Sequence, residues 1–318
     1  MSATVGPNAA ADLLGTIGNT PMVELPRLAS AGGARLFAKL EGANPTGSVK
    51  DRIAWAMISE ARDSGALAPG QTILEPSSGN TGISLALVGR LLGHPVRIVL
   101  PDNTTSEREQ LLRLYGAEIV HSPGAEGSNG AIRLAQRLAA DDPSLYMPYQ
   151  YGNEANPRAH EHTTGPEILA QVPDIDVFVA GLGTGGTLTG VGRYLKRERP
   201  SVRIVAAEPM PGEQVQGLRS LDEGFVPPVL DAAVLDDKYL VSNRDAVVGA
   251  RRLLAEEGIF AGLSCGAAVA VAVRVARDMQ SGSVVMLLAD GGWKYLSTDL
   301  WTRDLDELED ELEGSLLW

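Results

Sequence analysis

The chain has 318 residues, with 27 Lys plus Arg against 40 Asp plus Glu, a formal net charge of −13. Apolar residues make up 44% and charged ones 21%, which excludes a disordered chain and gives room for about two domains. The acidic balance argues against binding to phosphate backbones or anionic membranes, the single Cys265 excludes a disulfide framework and a Cys-based zinc site, and no apolar run approaches a membrane span. No basic stretch with a following apolar run opens the chain, so no secretory leader is expected and the protein reads as cytosolic.

In chain order, short β-branched runs alternate with helical stretches. Strands are expected at 36–41, 72–75, 96–100, 118–121, 177–180, 203–208 and 284–289. Helices are expected at 49–63, 81–92, 106–115, 129–141, 187–199, 244–257 and 265–279. Such alternation predicts an α/β fold of parallel sheets covered on both faces. The polar, Pro-containing stretch 142–158 is the expected hinge. Sites in such folds lie where strand ends feed helix-opening loops, and four of these junctions are informative.

The first is Asn44-Pro45-Thr46-Gly47-Ser48-Val49-Lys50-Asp51-Arg52. Ser48 reads as an N-cap, which puts Lys50 in the first helical turn. A helix N-terminus disfavours an ammonium and lowers its pKa, as a Schiff-base lysine requires. Of five lysines, Lys39 sits in an apolar strand, Lys196 on a charged helical face, Lys238 after two aspartates and Lys294 after Gly-Gly-Trp. Lys50 alone opens a helix from a loop of small polar residues; the plainer reading is an exposed lysine at a helix start.

The second junction is Pro76-Ser77-Ser78-Gly79-Asn80-Thr81-Gly82, either an anion nest or a well-capped turn. The third is Gly181-Leu182-Gly183-Thr184-Gly185-Gly186-Thr187. It satisfies G-x-G-x-x-G, and Glu208 on the next strand could serve as a ribose ligand, so an NAD-linked dehydrogenase is one reading. The hydroxyls of Thr184 and Thr187 suit a terminal phosphate monoester at least as well. The fourth is Gly262-Leu263-Ser264-Cys265-Gly266-Ala267, in which Ser264 reads first as an N-cap and Cys265 as a small core residue. His160 and His162 lack metal-ligand spacing and read as polar loop or surface residues; no metal is expected.

In this order the four junctions resemble the cysteine synthase branch of the fold-type II pyridoxal-phosphate (PLP) enzymes. Gly-Asn-Thr-Pro-Met (18–22), Pro-Tyr-Gln-Tyr-Gly-Asn (148–153) and Ala-Asp-Gly-Gly-Trp-Lys-Tyr (289–295) strengthen the resemblance, which covers about 13–318. It implies a tryptophan synthase β-like fold of two domains, each with a mostly parallel sheet flanked by helices. A smaller, mobile domain would span 39–148, a larger one 12–38 plus 149–298, and an acidic helix and tail 299–318. It also implies roles for particular residues. Lys50 would carry PLP as a Schiff base and shuttle the substrate α-proton. Asn80 would bond the ring hydroxyl, Thr184, Gly185, Gly186 and Thr187 would cradle the phosphate, and Ser264 would bond the pyridine nitrogen. Ser77, Ser78, Gly79, Asn80 and Thr81, with Gln150, would clamp the substrate carboxylate. The implied reaction is β-replacement on an activated serine through an aminoacrylate, in a homodimer.

Arg219, in the loop 216–225, supplies an always-charged fork suited to a phosphate leaving group, or else an exposed ion-pairing residue. The stretch 221–227 and the ending Glu-Gly-Ser-Leu-Leu-Trp resemble the actinobacterial, cysteine synthase B-type branch, which takes O-phosphoserine and sulfur from a carrier-protein thiocarboxylate. The alternative is an O-acetylserine sulfhydrylase using sulfide or thiosulfate. Residues 299–318 hold eight acids and one base. Trp301, Leu305, Leu308 and Leu312 are spaced as one stripe of an amphipathic helix. Residues 314–318 beyond it are expected to fold into the active-site entrance and to leave when a carrier's tail enters.

Overall fold

The computed structural model describes residues 10–29, 33–77, 79–213, 215–306 and 308. Its strands form two sheets. The larger holds β1 (Met22–Glu24), β2 (Arg35–Leu40), β7 (Val177–Gly181), β8 (Arg203–Pro209), β9 (Asp237–Val241) and β10 (Ser283–Leu288), in the order β1-β2-β10-β7-β8-β9. Within it only β1 runs antiparallel to its neighbour. The smaller sheet holds β3 (Thr72–Pro76), β4 (Val96–Pro101), β5 (Glu118–Ser122) and β6 (Leu145–Tyr146), in the order β5-β4-β3-β6, all parallel.

Helices cover both faces of each sheet, because strands such as β10, buried at every position, have no solvated face. On the smaller sheet, α1 (Lys50–Asp63), α2 (Asn80–Leu92) and α3 (Ser106–Leu114) share one core, and α4 (Gly127–Asp141) packs on the opposite side. On the larger sheet, α5 (Ala155–Ala159), a π turn, α6 (Gly165–Gln171) and α7 (Gly186–Glu198) lie together, with α6 and α7 packed on one face. The other face takes α8 (Asn243–Glu257) and α9 (Leu263–Arg277). Glycine sets how closely these two helices cross: a Cβ on Gly266 would lie 1.9 Å from the Ala246 carbonyl oxygen. The expected α/β architecture is therefore the observed one.

Three short strands were not expected. β1, β6 and β9 have three, two and five residues and depend on a neighbour's ladder rather than on their own apolar pattern. The stretch 142–158 contains β6 and enters α5. The C-terminal segment also differs from expectation: 299–306 form turns, not an amphipathic helix. The apolar stripe nevertheless docks. Leu308 is buried, Leu305 packs on the core, and Trp301 meets the Phe260 ring edge-on at 5.0 Å. Arg251 clamps the turn by donating to the carbonyls of Leu300 at 2.7 Å and Arg303 at 2.6 Å. Leu312 and the tail 314–318 lie outside the described residues.

A buried ion cluster anchors the start of α1. Arg52 donates to both oxygens of Glu41, at 2.7 and 2.8 Å, and to both of Glu167, at 2.7 Å each. Lys39, fully buried in β2, completes it at 2.7 Å from Glu167. Burial alone would raise the Glu167 carboxyl, but the Arg52 and Lys39 contacts overcome it and hold the pKa at about 2. Arg52→Met leaves Glu41 buried without its counter-charge and should cost about 3–5 kcal/mol, read as a lower denaturation midpoint. The stabilisation from the depressed Glu167 is complete above its ordinary value of 4.5 and is lost as pH falls toward 2. Glu167→Gln should therefore flatten the loss of stability across that acid window in a pH series of melts.

Candidate active site

Strand ends and helix starts from both sheets face one cleft. It encloses about 730 Å³, open to solvent, with Lys50, Ser77, Asn80, Thr81, Gln150, Arg219 and Ser264 among its walls. It runs on into a second space of about 440 Å³ lined by Gly183, Thr184, Gly185, Thr187 and Gly217 as well as Lys50 and Ser264. The four junctions thus meet in one place. Lys50 is the first residue of α1, Asn80 of α2 and Gly186 of α7, and Ser264 is the second of α9. Four helix N-termini converge there, each bringing the partial positive charge of its first turn.

Lys50 is placed as its sequence context suggested, though for a different electrostatic reason. Desolvation by the cleft walls lowers its pKa, while Asp290 and Glu41 oppose that shift. The expected cap at Ser48 is not the observed one: Val49 holds the cap position, and Ser48 Oγ accepts only the Lys50 N–H, at 3.3 Å. The next residue, Asp51, is buried and takes hydrogen bonds from the Thr46 N–H at 2.7 Å and the Ser84 hydroxyl at 2.6 Å. This pins the 44–50 loop to α2.

At the second junction, Ser77 Oγ accepts the N–H groups of Gly79 at 3.1 Å and Gly82 at 3.0 Å, so the expected nest is partly closed by its own side chain. Gly79 has φ +156°, and a Cβ there would lie 2.6 Å from Arg108 Cδ. Ser78 lies outside the described residues. Gln150, in the stretch that follows β6, meets this junction: Thr81 Oγ1 donates to its Oε1 at 2.7 Å. Its backbone is held by Glu75, which accepts the N–H groups of Tyr149 at 2.8 Å and Gln150 at 2.9 Å. Burial pushes the Glu75 carboxyl up to about 8 against these two donors.

Asn80 is locked at both ends of its amide. Lys294 Nζ donates to its Oδ1 at 2.6 Å, and its Nδ2 donates to Asp290 Oδ2 at 2.7 Å. Tyr295 Oη also donates to Asp290 Oδ2, at 2.7 Å. Burial lowers Lys294 to about 8. Asp290, Lys294 and Tyr295 were given no role from sequence, although the motif 289–295 that carries them stood out; charged residues flanking Gly-Gly were the available signal.

Ser264 is not the cap of α9. The cap position belongs to Gly262, and Ser264 sits inside the first turn of α9, in the cleft wall. Opposite it, Gly217 has φ +86°, and a Cβ there would come 3.7 Å from Ser264 Oγ, filling the gap between them. Cys265 is buried as expected, its thiol pushed up to about 12 by burial.

Arg219 is buried rather than an exposed ion-pairing residue. Its guanidinium lies 4.8 Å from the Phe225 ring centre and 5.3 Å from that of Tyr151, and Nη1 donates to Asn129 Oδ1 at 2.9 Å. A second guanidinium, on buried Arg108, lines the same cleft and stacks on Tyr295 at 4.6 Å. Arg108 was not anticipated, since α3 reads as an ordinary polar helix.

A desolvated lysine, a Gly-rich loop with two threonine hydroxyls at the start of α7 and a neutral hydroxyl across a glycine gap together fit PLP. The family model for pyridoxal-phosphate dependent enzymes matches residues 13–290. The chain belongs to this family. It is 45% identical over 298 residues to a cysteine synthase of Staphylococcus aureus, covering 91% of this chain and 96% of that one. A solved O-ureido-L-serine synthase superposes with a TM-score of 0.87 at 41% identity, covering 95% of this chain and 99% of the other. An O-acetylserine sulfhydrylase isoform of Entamoeba histolytica gives 0.85 at 33% identity, covering 98% of each chain. The chain is a PLP-dependent enzyme of the cysteine synthase kind, with the fold-type II architecture.

The dehydrogenase reading falls with this. Glu208, its ribose ligand, is fully buried and consumed internally: it accepts the Leu221 N–H at 2.6 Å and pairs with Lys238 at 2.7 Å. Of the two histidines, His162 is exposed as expected, and His160 departs from expectation. His160 is buried behind the Gly-rich loop, 3.2 Å from Thr187 Oγ1. Closing the glycine gap tests the fit: Gly217→Ala should lower cofactor content, measured as visible absorbance per protein, with far-UV circular dichroism unchanged.

Proposed function

We propose that this PLP enzyme makes L-cysteine by β-replacement on an activated serine, with O-phospho-L-serine as the donor. The observation that carries the donor is the burial of Arg219 in the cleft wall between Tyr151 and Phe225. A permanently charged, planar fork held by stacking suits a phosphate that gains charge as it departs.

Bound between Lys50 and the 184–187 loop, the cofactor supplies the electron sink that makes the α-proton of an amino acid removable. This chain's residues do the rest. Ser77, Ser78, Gly79, Asn80, Thr81 and Gln150 hold the substrate carboxylate and fix which α-bond faces the sink. Lys50 Nζ, its pKa lowered by burial, takes the α-proton. Asn80 offers an N–H to the ring oxygen, with its amide orientation set by Lys294 and Asp290. Ser264 gives the ring nitrogen a neutral partner, which tempers the sink and favours elimination and replacement at Cβ. Residues 39–148 act as the smaller, mobile unit that closes the cleft and excludes water. Sulfur arrives as sulfide or as the thiocarboxylate of a small carrier protein, and the working unit is a homodimer.

One observation favours O-acetyl-L-serine as the donor: the likeness to the Entamoeba sulfhydrylase over nearly the whole chain. Comparing kcat/KM for the two activated serines separates the readings. Arg219→Ala should lower kcat/KM for O-phosphoserine about 100-fold and that for O-acetylserine only a few-fold. Equal losses would remove the phosphate role. Lys50→Ala should abolish the visible absorbance of the lysine-linked cofactor while leaving the fold intact.

A further inference from the structure

Behind the Gly-rich loop lies a polar stretch that the reaction does not itself use. Asn156 in α5 and His160 at the start of the π turn are one helical turn apart and share a face. That face presses on α7. A Cβ on Gly186 would lie 1.9 Å from Asn156 Oδ1, and one on Gly190 would lie 2.7 Å from His160 Cβ. Both polar residues are buried, and each contacts one threonine of the loop.

A hydroxyl has one hydrogen to give and two lone pairs to fill. Thr184 Oγ1 accepts from Asn156 Nδ2 at 3.1 Å and from the Gly186 N–H at 3.3 Å. Its lone pairs are used, so its hydrogen is left for the cleft. For Thr187 the direction depends on an imidazole. His160 Nε2 is 3.2 Å from Thr187 Oγ1, and Nδ1 is 2.9 Å from Thr164 Oγ1. Burial, with the nearby charges of Arg52 and Lys50, holds the His160 pKa well below its ordinary value, so the ring carries one hydrogen.

Two arrangements are possible. With the hydrogen on Nδ1, His160 donates to Thr164 and accepts from Thr187. Thr164 is fully buried, and among the described residues this imidazole is its hydroxyl's one hydrogen-bond partner. Its hydrogen would then be orphaned, at the full desolvation penalty of a buried donor. Thr187 would also turn lone pairs toward an anion. With the hydrogen on Nε2, Thr164 donates to Nδ1, Nε2 donates to Thr187, and the Thr187 hydrogen is released into the cleft. The Thr164 hydroxyl and both ring nitrogens are then satisfied.

We propose that His160 is a positioning residue: as the neutral Nε2–H tautomer it donates to Thr187 and, with Asn156 acting on Thr184, aims both threonine hydrogens at the cofactor phosphate. This rests on the reading that the 184–187 loop cradles that phosphate. Long-range nitrogen–proton correlation on holoenzyme carrying isotope-labelled histidine should show His160 protonated on Nε2 alone; Nδ1–H or a doubly protonated ring overturns the proposal. The rate of PLP release from the holoenzyme gives the second readout. His160→Asn can reach only the Nδ1 position and should release PLP about tenfold faster. His160→Gln can place a donor near the Nε2 position and should stay within about threefold of the parent. Equal release by the two variants overturns the proposal even if both are destabilised. Thr187→Val separates the levels. If it speeds release while His160→Asn does not, the positioning role fails and the phosphate site stands. If Thr187→Val and Thr184→Val both release at the parent rate, the phosphate site fails and the proposal with it.

Discussion

An ammonium at the start of a helix stands where the helix least wants it, and in this enzyme it is desolvated as well. The structure answers with three consecutive residues in three environments. Lys50 faces the cleft, Asp51 is buried under Thr46 and Ser84, and Arg52 joins Glu41 and Glu167. The two neighbours fix the backbone on either side, so the lysine cannot escape to solvent by fraying the helix end. Asp290, which favours its charged form, also anchors Asn80. The anchoring of one lysine therefore ties together α1, α2, the larger sheet and the turn that follows β10.

The cleft is electrostatically opposite to the molecule around it. The chain is acidic overall, yet the site gathers four helix N-termini, two lysines and two buried arginines. A local positive potential inside an acidic protein draws small anions to one place and leaves polyanions unattracted elsewhere. Under the proposed function it would serve both the cofactor phosphate and an amino-acid carboxylate. Two glycines serve the site differently: an added carbon at Gly186 would run into Asn156 behind the loop, and one at Gly217 would narrow the gap to Ser264 at a position whose φ is already positive.

Much of this was legible because each junction was written locally. β7 and β10 are continuous apolar runs and read as buried parallel strands, and the Gly-, Ser- and Thr-rich loops after β2, β3 and β7 marked the cleft. What was illegible depends on partners far along the chain. β9 begins with two charged residues and is a strand because β8 pairs with it. His160 lies in His-Glu-His-Thr-Thr, a segment with no apolar period, and its burial comes from α7. Lys294 gives no sign in sequence that its ammonium will meet an asparagine at position 80. The acidic C-terminal segment shows the converse: its apolar spacing foretold the docking of Leu305 and Leu308, while the backbone there took turns instead of a helix.

The pairing of β2 with β10 has a consequence in time. Arg35–Leu40 lies between β1 and β10, so one of its edges stays without a partner until Ser283–Leu288 has been made. The Asn80 lock closes over 210 and 214 residues of sequence separation. Contacts of such range form late and slowly, after the local α/β units that they join. A growing chain thus carries an exposed apolar strand edge through most of its synthesis, and capacity to retain the cofactor comes only with the closing strand. Cofactor retention in this fold is then a report of completed folding, and chaperone demand should concentrate on the β1–β2 hairpin while it waits.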